Sequence, residues 1–435
     1  MVKVRPREGR EIALISGRLL TKMQKSLHRR FNDTVEGMTA TIRDAALPFT
    51  GGTLTALLSP DTRLLSLGEP THGVEAFPEL RNELFRHLVE HDGYRSIAVE
   101  SDCLAALTVD GYVGDGTGTL DEALERGFSH DFGAHHANRE LLRWMRAWNA
   151  GHPASERLRF YGCDGPLETA GAASPRAALT SLHDYLAAHL DPECDRARLD
   201  RLLGLDERWT RPGAMMDPGQ SVGRSPEANE LRLVADDLSA LLAWHAPRLT
   251  AATSPDAFWH AELHARTATG LLRYHAGMAN TAPTRFDTLL SVRDAMMADN
   301  LDAVVRREAR RGPTLAFAHN RHLQRDESRM QFAGRSVRWW SAGALVGTRL
   351  GERYAFVAST FGSRGTDVPH PDTLEGVLSS LPEARTVIDP GRLAACLDRE
   401  LTPRVPADHT YFALDPTTTD QTEAIVFVRD VPAHT

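Results

Sequence analysis

The sequence predicts an α/β protein: a mostly parallel sheet flanked by helices, with a helical insertion covering a cleft. Three observations point there. Short apolar runs followed by helical patterns recur near both ends of the chain, and strands alternating with helices build parallel sheets. From Ser174 to about Arg310 strand signals vanish and helical periodicity takes over. Four of the apolar runs end in titratable residues: Glu69 with His72, Glu100, Asp164, and His319 with His322. In an open parallel sheet such tips share one edge, which is where ligands bind.

In chain order, residues 1–35 read as a poorly ordered or loosely docked extension. They hold Lys3, Lys22 and Lys25, the only lysines, so the basic charge elsewhere is all arginine. That skew fits a GC-rich coding source, and the first stretch reads as a tag or an upstream start. Val35–Ala46 reads as a short helix ended before Pro48, and Leu54–Leu58 as a further turn. Leu64–Leu67 is the first buried strand. It leads into the turn Gly68-Glu69-Pro70-Thr71-His72-Gly73. A helix follows, marked by Phe77, Leu80, Leu84, Phe85 and Leu88 and closed by Gly93.

Tyr94–Val99 is the second strand, with Glu100 at its tip. Asp110–Gly118 reads as a glycine-rich loop, Leu120–Glu125 as a helix start, Gly127–His136 as a polar loop, and Asn138–Asn149 as an amphipathic helix. Arg157–Tyr161 is a third strand, with Asp164 just beyond it. Helical patterns then cover Ala177–Leu190, Arg196–Leu203, Glu227–Ala246, Pro255–Tyr274 and Thr288–Arg310, interrupted by the Pro/Gly-rich loop Arg211–Arg224. Strands resume at Thr314–Ala318, Arg353–Ser359, Tyr411–Leu414 and Ala424–Val428. The expected organisation is an α/β core from 36–172 and 311–435, with 173–310 as a helical cap.

Composition bounds the function. A chain of 435 residues, 42% hydrophobic and 25% charged, is ordinary for a soluble globular protein. A net charge of −8 and the lack of a basic run with aromatics argue against a nucleic-acid partner. The four cysteines form no CxxC pair, and a reducing cytoplasm is the expected location. No run reaches the roughly 18 apolar residues of a membrane span. Ile12–Ile15 is too short for a secretory core. A monomer is expected.

A carboxylate three residues before a histidine, at a strand tip, is a candidate acid–base pair. Taken singly, each site residue also has a structural reading. Glu69 would accept bonds from turn amides, and Asp164 from loop amides. Glu75 would meet the dipole of the helix it begins. Arg81 would be a surface residue. His130, His135 and His136 would be solvated in a polar loop. It is the convergence of two glutamates and two histidines that argues for a site. Walker A, GxGxxG and HExxH are all absent, and Cys163 reads as a small packed residue. Either a histidine base or a zinc or manganese ion would activate water at such a site.

These residues resemble the erythromycin esterase family. The resemblance lies in LGEPTHG (Leu67–Gly73), FPELRNELFRHLVEHDGYRSIAVES (Phe77–Ser101), WMRAWN (Trp144–Asn149), YGCD (Tyr161–Asp164), RDAMMADN (Arg293–Asn300) and AHNRHLQR (Ala318–Arg325). It implies an active site of Glu69, His72, Arg81, Glu100, His319 and His322, with His72 as the base that activates water against an ester carbonyl. It implies no cofactor as a rule, although the wider superfamily includes metal-using members. Gly127–Asn138 departs from the tryptophan-rich pattern expected there, and Gly165-Pro166 stands where a polar residue is usual, so the substrate-facing wall differs.

The expected function is therefore hydrolysis of an ester or macrolactone, on a polyketide-like or simple ester substrate. Arg81 and a histidine of the His319/His322 pair would stabilise the oxyanion. Glu75, Asp164 and His136 are the expected substrate contacts. Two rivals stand beside it. One is a biosynthetic enzyme of the same fold catalysing cyclisation, dehydration or acyl transfer. The other is a binding protein without chemistry.

Overall fold

Alternation along the first strand sets the architecture. In the computed structural model β2 (Leu64–Glu69) sends Leu64 to one side and Leu65 and Leu67 to the other, as a strand buried on both faces requires. The structure describes residues 42–168, 171–332, 334–397, 400–405 and 410–433. The expected extension 1–35, and the start of the expected first helix, lie outside them.

Eight strands form the main sheet: β1 (Ala46–Pro48), β2, β3 (Ser96–Asp102), β4 (Arg159–Asp164), β7 (Thr314–His319), β10 (Tyr354–Arg364), β11 (Arg385–Ile388) and β12 (Ala424–Val431). Two small hairpins supply the rest, β5 (Leu167–Glu168) with β6 (Gly171–Ala172), and β8 (Glu327–Phe332) with β9 (Arg335–Trp340). The order across the sheet is β1-β11-β12-β10-β2-β7-β3-β4. Pairing is parallel from β12 to β4, and antiparallel where β1 and β11 finish the edge. The chain leaves β2 for β3 but skips one place. The strand that fills the gap, β7, arrives some 220 residues later.

Two apolar clusters cover the faces of the sheet. One holds Ala98, Ala316 and Phe356; the other holds Ile97, Leu315, Phe317 and the buried side of the helix Ala76–His91. The helices of 176–278 build a separate cluster around Leu182, Leu231, Leu238 and Leu272. The helix Arg285–Glu308 lies against the sheet instead, with Met297, Leu301 and Val304 in the first face cluster.

Several local expectations are corrected. Asp110–Gly118 is not a loop. Its first part belongs to the helix Ala106–Asp115, which buries Ala106, Val109 and Val113 and ends at Gly116 with φ of +73°. Packing of that face outweighs the low helix propensity of Gly111 and Gly114. Tyr411–Leu414 forms no strand. It is an irregular segment docked on the Gly68–Gly73 turn, the Phe412 N–H donating to the Pro70 carbonyl at 2.7 Å. Ala46, expected to close a helix, starts edge strand β1. The β8–β9 hairpin and β11 were not expected. Alternating Val337 and Trp339, both buried, carry the strand signal in β9.

Candidate active site

The late arrival of β7 between β2 and β3 assembles the site. Its register sets Glu69 opposite His319 and Gly68 opposite Ala318, and on its other side Val99 opposite Phe317, so Glu100 falls one residue beyond. Beyond β3, Asp164 ends β4. Gly68 is required by this closeness: a side chain there would meet Asn320 Oδ1 at 2.2 Å. Asn320 in turn ties the His319 turn to β10 through the Ser359 carbonyl, at 2.8 Å.

Two carboxylate–histidine pairs face one acceptor. His72 Nδ1 donates to Glu69 Oε1 at 2.7 Å, and its Nε2 lies 3.7 Å from Glu100 Oε1. His322 Nδ1 donates to Asp294 Oδ1 at 2.7 Å, and its Nε2 lies 3.4 Å from the same Glu100 oxygen. Asp294 is locked in turn by Trp339 Nε1 and the Ala342 N–H, each at 2.9 Å. A carboxylate accepting at Nδ1 puts the proton there, so in the neutral rings both Nε2 atoms are acceptors. Two imidazole lone pairs and a carboxylate thus converge on one spot. Their mutual repulsion is relieved by an O–H donor, or by a proton on one ring.

Arg293 neutralises the far side of this cluster. Its Nη2 donates to Glu100 Oε1 at 2.9 Å and to Asp164 Oδ2 at 2.6 Å, and Glu100 Oε2 accepts the His319 N–H at 2.8 Å. Burial opposes charge on Glu100, but His322, His72 and Arg293 hold its carboxyl well below the usual range. Burial likewise opposes charge on Asp164, which Arg293 and His130 hold low. For His72, burial pulls the pKa down, but the Glu100 charge and the Glu69 hydrogen bond overcome it and raise it above 6.5.

His319 is differently placed. Its Nδ1 accepts the Arg321 N–H at 3.1 Å, so Nε2 carries the proton and donates to the Thr410 carbonyl at 3.2 Å. Burial and the nearby His72 push its pKa well below 6.5. It is a neutral wall of the site, with its ring edge-on to His72 at 5.0 Å, and both its nitrogens are engaged.

His72, His319, His322 and Arg293 line a cleft of about 510 Å³. Its walls are largely apolar: Met215, Tyr274, Phe286, Leu289, Phe332 and Trp339. Met215 comes from the Pro/Gly-rich loop and Phe332 from β8, packed edge-on against Phe286 at 4.9 Å. Side-chain exposure of 37% leaves His72 reachable from the cleft.

The structure thus brings together Glu69, His72, Glu100, His319, His322 and Asp164. It does not bring Arg81, Glu75 or His136 to the cleft. Arg81 is 2% exposed behind Glu69, donating to Asn82 Oδ1 and lying over the Phe317 ring at 4.9 Å. Burial lowers its pKa to about 10 despite the Glu69 and Glu75 charges. Glu75 holds the next loop, bonding His135 Nδ1 at 2.7 Å and the Ala137 N–H, and His136 is exposed at the start of the helix His136–Gly151.

Three residues that line or support the cleft were not assigned by sequence reasoning: Arg293, Asp294 and His130. The first two open RDAMMADN, a segment already singled out, so their signal was present. The polar loop predicts a solvated His130. It instead lines the cleft, with Nδ1 3.0 Å from Glu168 and Nε2 3.4 Å from Asp164. Both His130 and Asp131 adopt φ of +58°, a left-handed turn uncommon for residues other than glycine. Among the described residues no three His, Cys, Asp or Glu side chains are grouped to hold a metal ion, and no helix is long and apolar enough to cross a membrane.

Fold and site together define an α/β protein with a cluster of histidines and carboxylates at the C-terminal edge of its sheet. The erythromycin esterase family model matches residues 89–431, and the chain belongs to that family. The match begins after the Glu69–His72 turn. A curated relative, erythromycin esterase type II of Escherichia coli, is 30% identical over 125 residues; this covers 29% of this chain and 28% of the relative's length. Three solved structures share the fold. A Bacillus cereus protein superposes with a TM-score of 0.68 at 17% identity, covering 92% of this chain and 98% of its own. A succinoglycan biosynthesis protein gives 0.66 at 15%, covering 91% and 97%. The erythromycin esterase EreC, a mutant in its open conformation, gives 0.63 at 21%, covering 87% and 93%.

Proposed function

We propose that this protein hydrolyses an ester or lactone of a bulky, largely apolar small molecule, with His72 as general base. The carrying observation is the Glu69-held His72, which lines an apolar-walled cleft with its Nε2 3.7 Å from Glu100. A water seated there would donate to Nε2 and to Glu100 and be aimed at a bound carbonyl. Arg293 Nη1, which makes none of the bonds described above, is the candidate for steadying the oxyanion, the part expected of Arg81. His322, oriented by Asp294, is the candidate for protonating the leaving alkoxide. Arg81 would act at one remove, as a buried cation behind Glu69.

The reaction is proposed to need no metal, because the Arg293 guanidinium already supplies the positive charge at Glu100. The test is mass spectrometry of purified protein with a panel of macrolides and aryl esters, before and after exhaustive chelation. Product gaining one water, at equal rates in both preparations, is the expected result. Activity lost on chelation and restored by zinc or manganese would overturn the metal-free part. Product of unchanged or lower mass would replace hydrolysis by cyclisation or dehydration. That second reading draws on Asp294–His322, since two imidazoles around one carboxylate could pass a proton without water.

The pH profile follows from the raised His72 pKa. A base works only when deprotonated, so kcat/KM should fall as pH drops through a value above 6.5. Glu69→Gln removes a carboxylate that raises this pKa and should move the acid limb to lower pH. An acid limb that stays in place in Glu69→Gln would count against His72 as the titrating base.

A further inference from the structure

At the opposite edge of the sheet lies a second, larger cavity of about 810 Å³. It opens between the start of β4, the start of the helix Pro255–Met278 and the end of the helix Arg285–Glu308. Along the six residues of β4 it is about 17 Å from Asp164. Six arginines and five carboxylates line it. Most pair off: Arg159 with Asp110 at 2.6 Å, Arg311 with Glu308 at 2.9 Å, and Arg307 Nη2 with Asp256 at 2.6 Å.

What remains is a set of nitrogens. Arg157 Nε, Trp259 Nε1, His260 Nε2 and Arg307 Nη1 are buried and have no hydrogen-bond partner among the described residues. Trp259 is 8% exposed and the Arg307 side chain 10%. The Arg307 guanidinium carbon sits over the Trp259 ring, 4.1 Å from its centre, so the two residues' unpaired N–H groups belong to one packed pair. Indole and guanidinium nitrogens only donate, and His260 joins them in its Nε2–H tautomer. After burial itself, Arg307 is the next cause of the lowered His260 pKa, ahead of the opposing Asp110 and Asp256 charges. A buried donor left unpaired is costly, and four in one cavity call for an acceptor-only ligand. Asp256, in the first turn of its helix, already sets a carboxylate against Arg307 here.

The geometry points to a second binding site here, separate from the catalytic cleft, for a small molecule bearing an oxyanion group, held by Arg307, Trp259 and His260. The cavity volume exceeds that of a lone ion and fits a metabolite carrying a phosphate or carboxylate.

Isothermal titration calorimetry of the full chain with inorganic phosphate, and separately with citrate, at matched ionic strength tests this. Saturable binding of at least one is expected, and which one binds distinguishes phosphate from carboxylate recognition. Trp259→Phe keeps the ring beneath Arg307 and removes one donor, so it should weaken binding about tenfold. His260→Phe, at a less buried neighbour, should also weaken it and serves if the tryptophan variant does not fold. His72→Ala should bind as the parent does. No saturable binding of either anion, parental affinity in the folded donor variants, or binding lost in His72→Ala would each overturn the proposal.

Discussion

Replacing His72 by alanine should lower turnover by roughly 10²–10⁴-fold, the usual worth of a positioned general base, while the protein stays folded. The side chain is 37% exposed and makes its one short bond to Glu69, so little packing is lost. Three features make the loss larger than for His319. His72 combines a Glu69-held Nδ1 with an Nε2 open to the cleft and a pKa raised above 6.5. His319 has both nitrogens committed to backbone groups. Steady-state kinetics with circular dichroism as a fold check would decide it. A folded His72→Ala protein of parental activity would end the reading, and the general base would then be sought at His322.

The second large effect is on stability. Arg293→Met should destabilise the protein by about 3–5 kcal/mol, the usual cost of stranding one member of a buried ion pair. Arg293 is the cation shared by Glu100, which is 3% exposed, and Asp164, which is fully buried. Both carboxyls are held below their ordinary pKa values in the folded state. Such groups contribute stability above their unfolded pKa, near 4, and lose it as pH falls through the lower folded values. The variant should therefore show its full deficit at neutral pH and a smaller one in acid, where its carboxyls, no longer held low by Arg293, take up protons that those of the parent do not. Urea midpoints at pH 7 and pH 4 measure this. A deficit independent of pH would mean that Arg293 acts through packing alone. Arg293→Lys should fall between, because one ammonium does not reproduce the forked contact.

The strand tips were legible because their chemistry is local. Leu64–Leu67, Tyr94–Val99 and Thr314–Ala318 are apolar runs that only a buried strand explains, and each delivers its polar residue at the point where the run stops. Arg196–Leu203 matches its helix residue for residue, its ends marked by Asp195 at the N-cap and Gly204 beyond the last turn. The segments that misled were those whose conformation depends on partners. The helix Ala106–Asp115 contains two glycines and forms because Val109 and Val113 meet the core. Tyr411–Leu414 is rich in strand-forming residues, but its backbone is taken up by the Pro70 turn instead of a neighbouring strand. Arg81 and Arg293 show the same limit within the site. Both are arginines on helices near the sheet edge, and sequence carries no sign of which one reaches the cleft.

By itself, the sequence determined the α/β class, the shared edge, and the placing of Glu69 and His72 on one turn, because strand burial and a three-residue spacing are set by neighbouring residues. Only the tertiary structure decided that β7 inserts between β2 and β3, and so that Glu100 stands between His72 and His322. It also decided that Arg293 takes the position at the cleft expected of Arg81, and that His319 is neutral. Those outcomes depend on which groups meet across some 200 residues of chain, where burial and the field of distant charges outweigh any local preference.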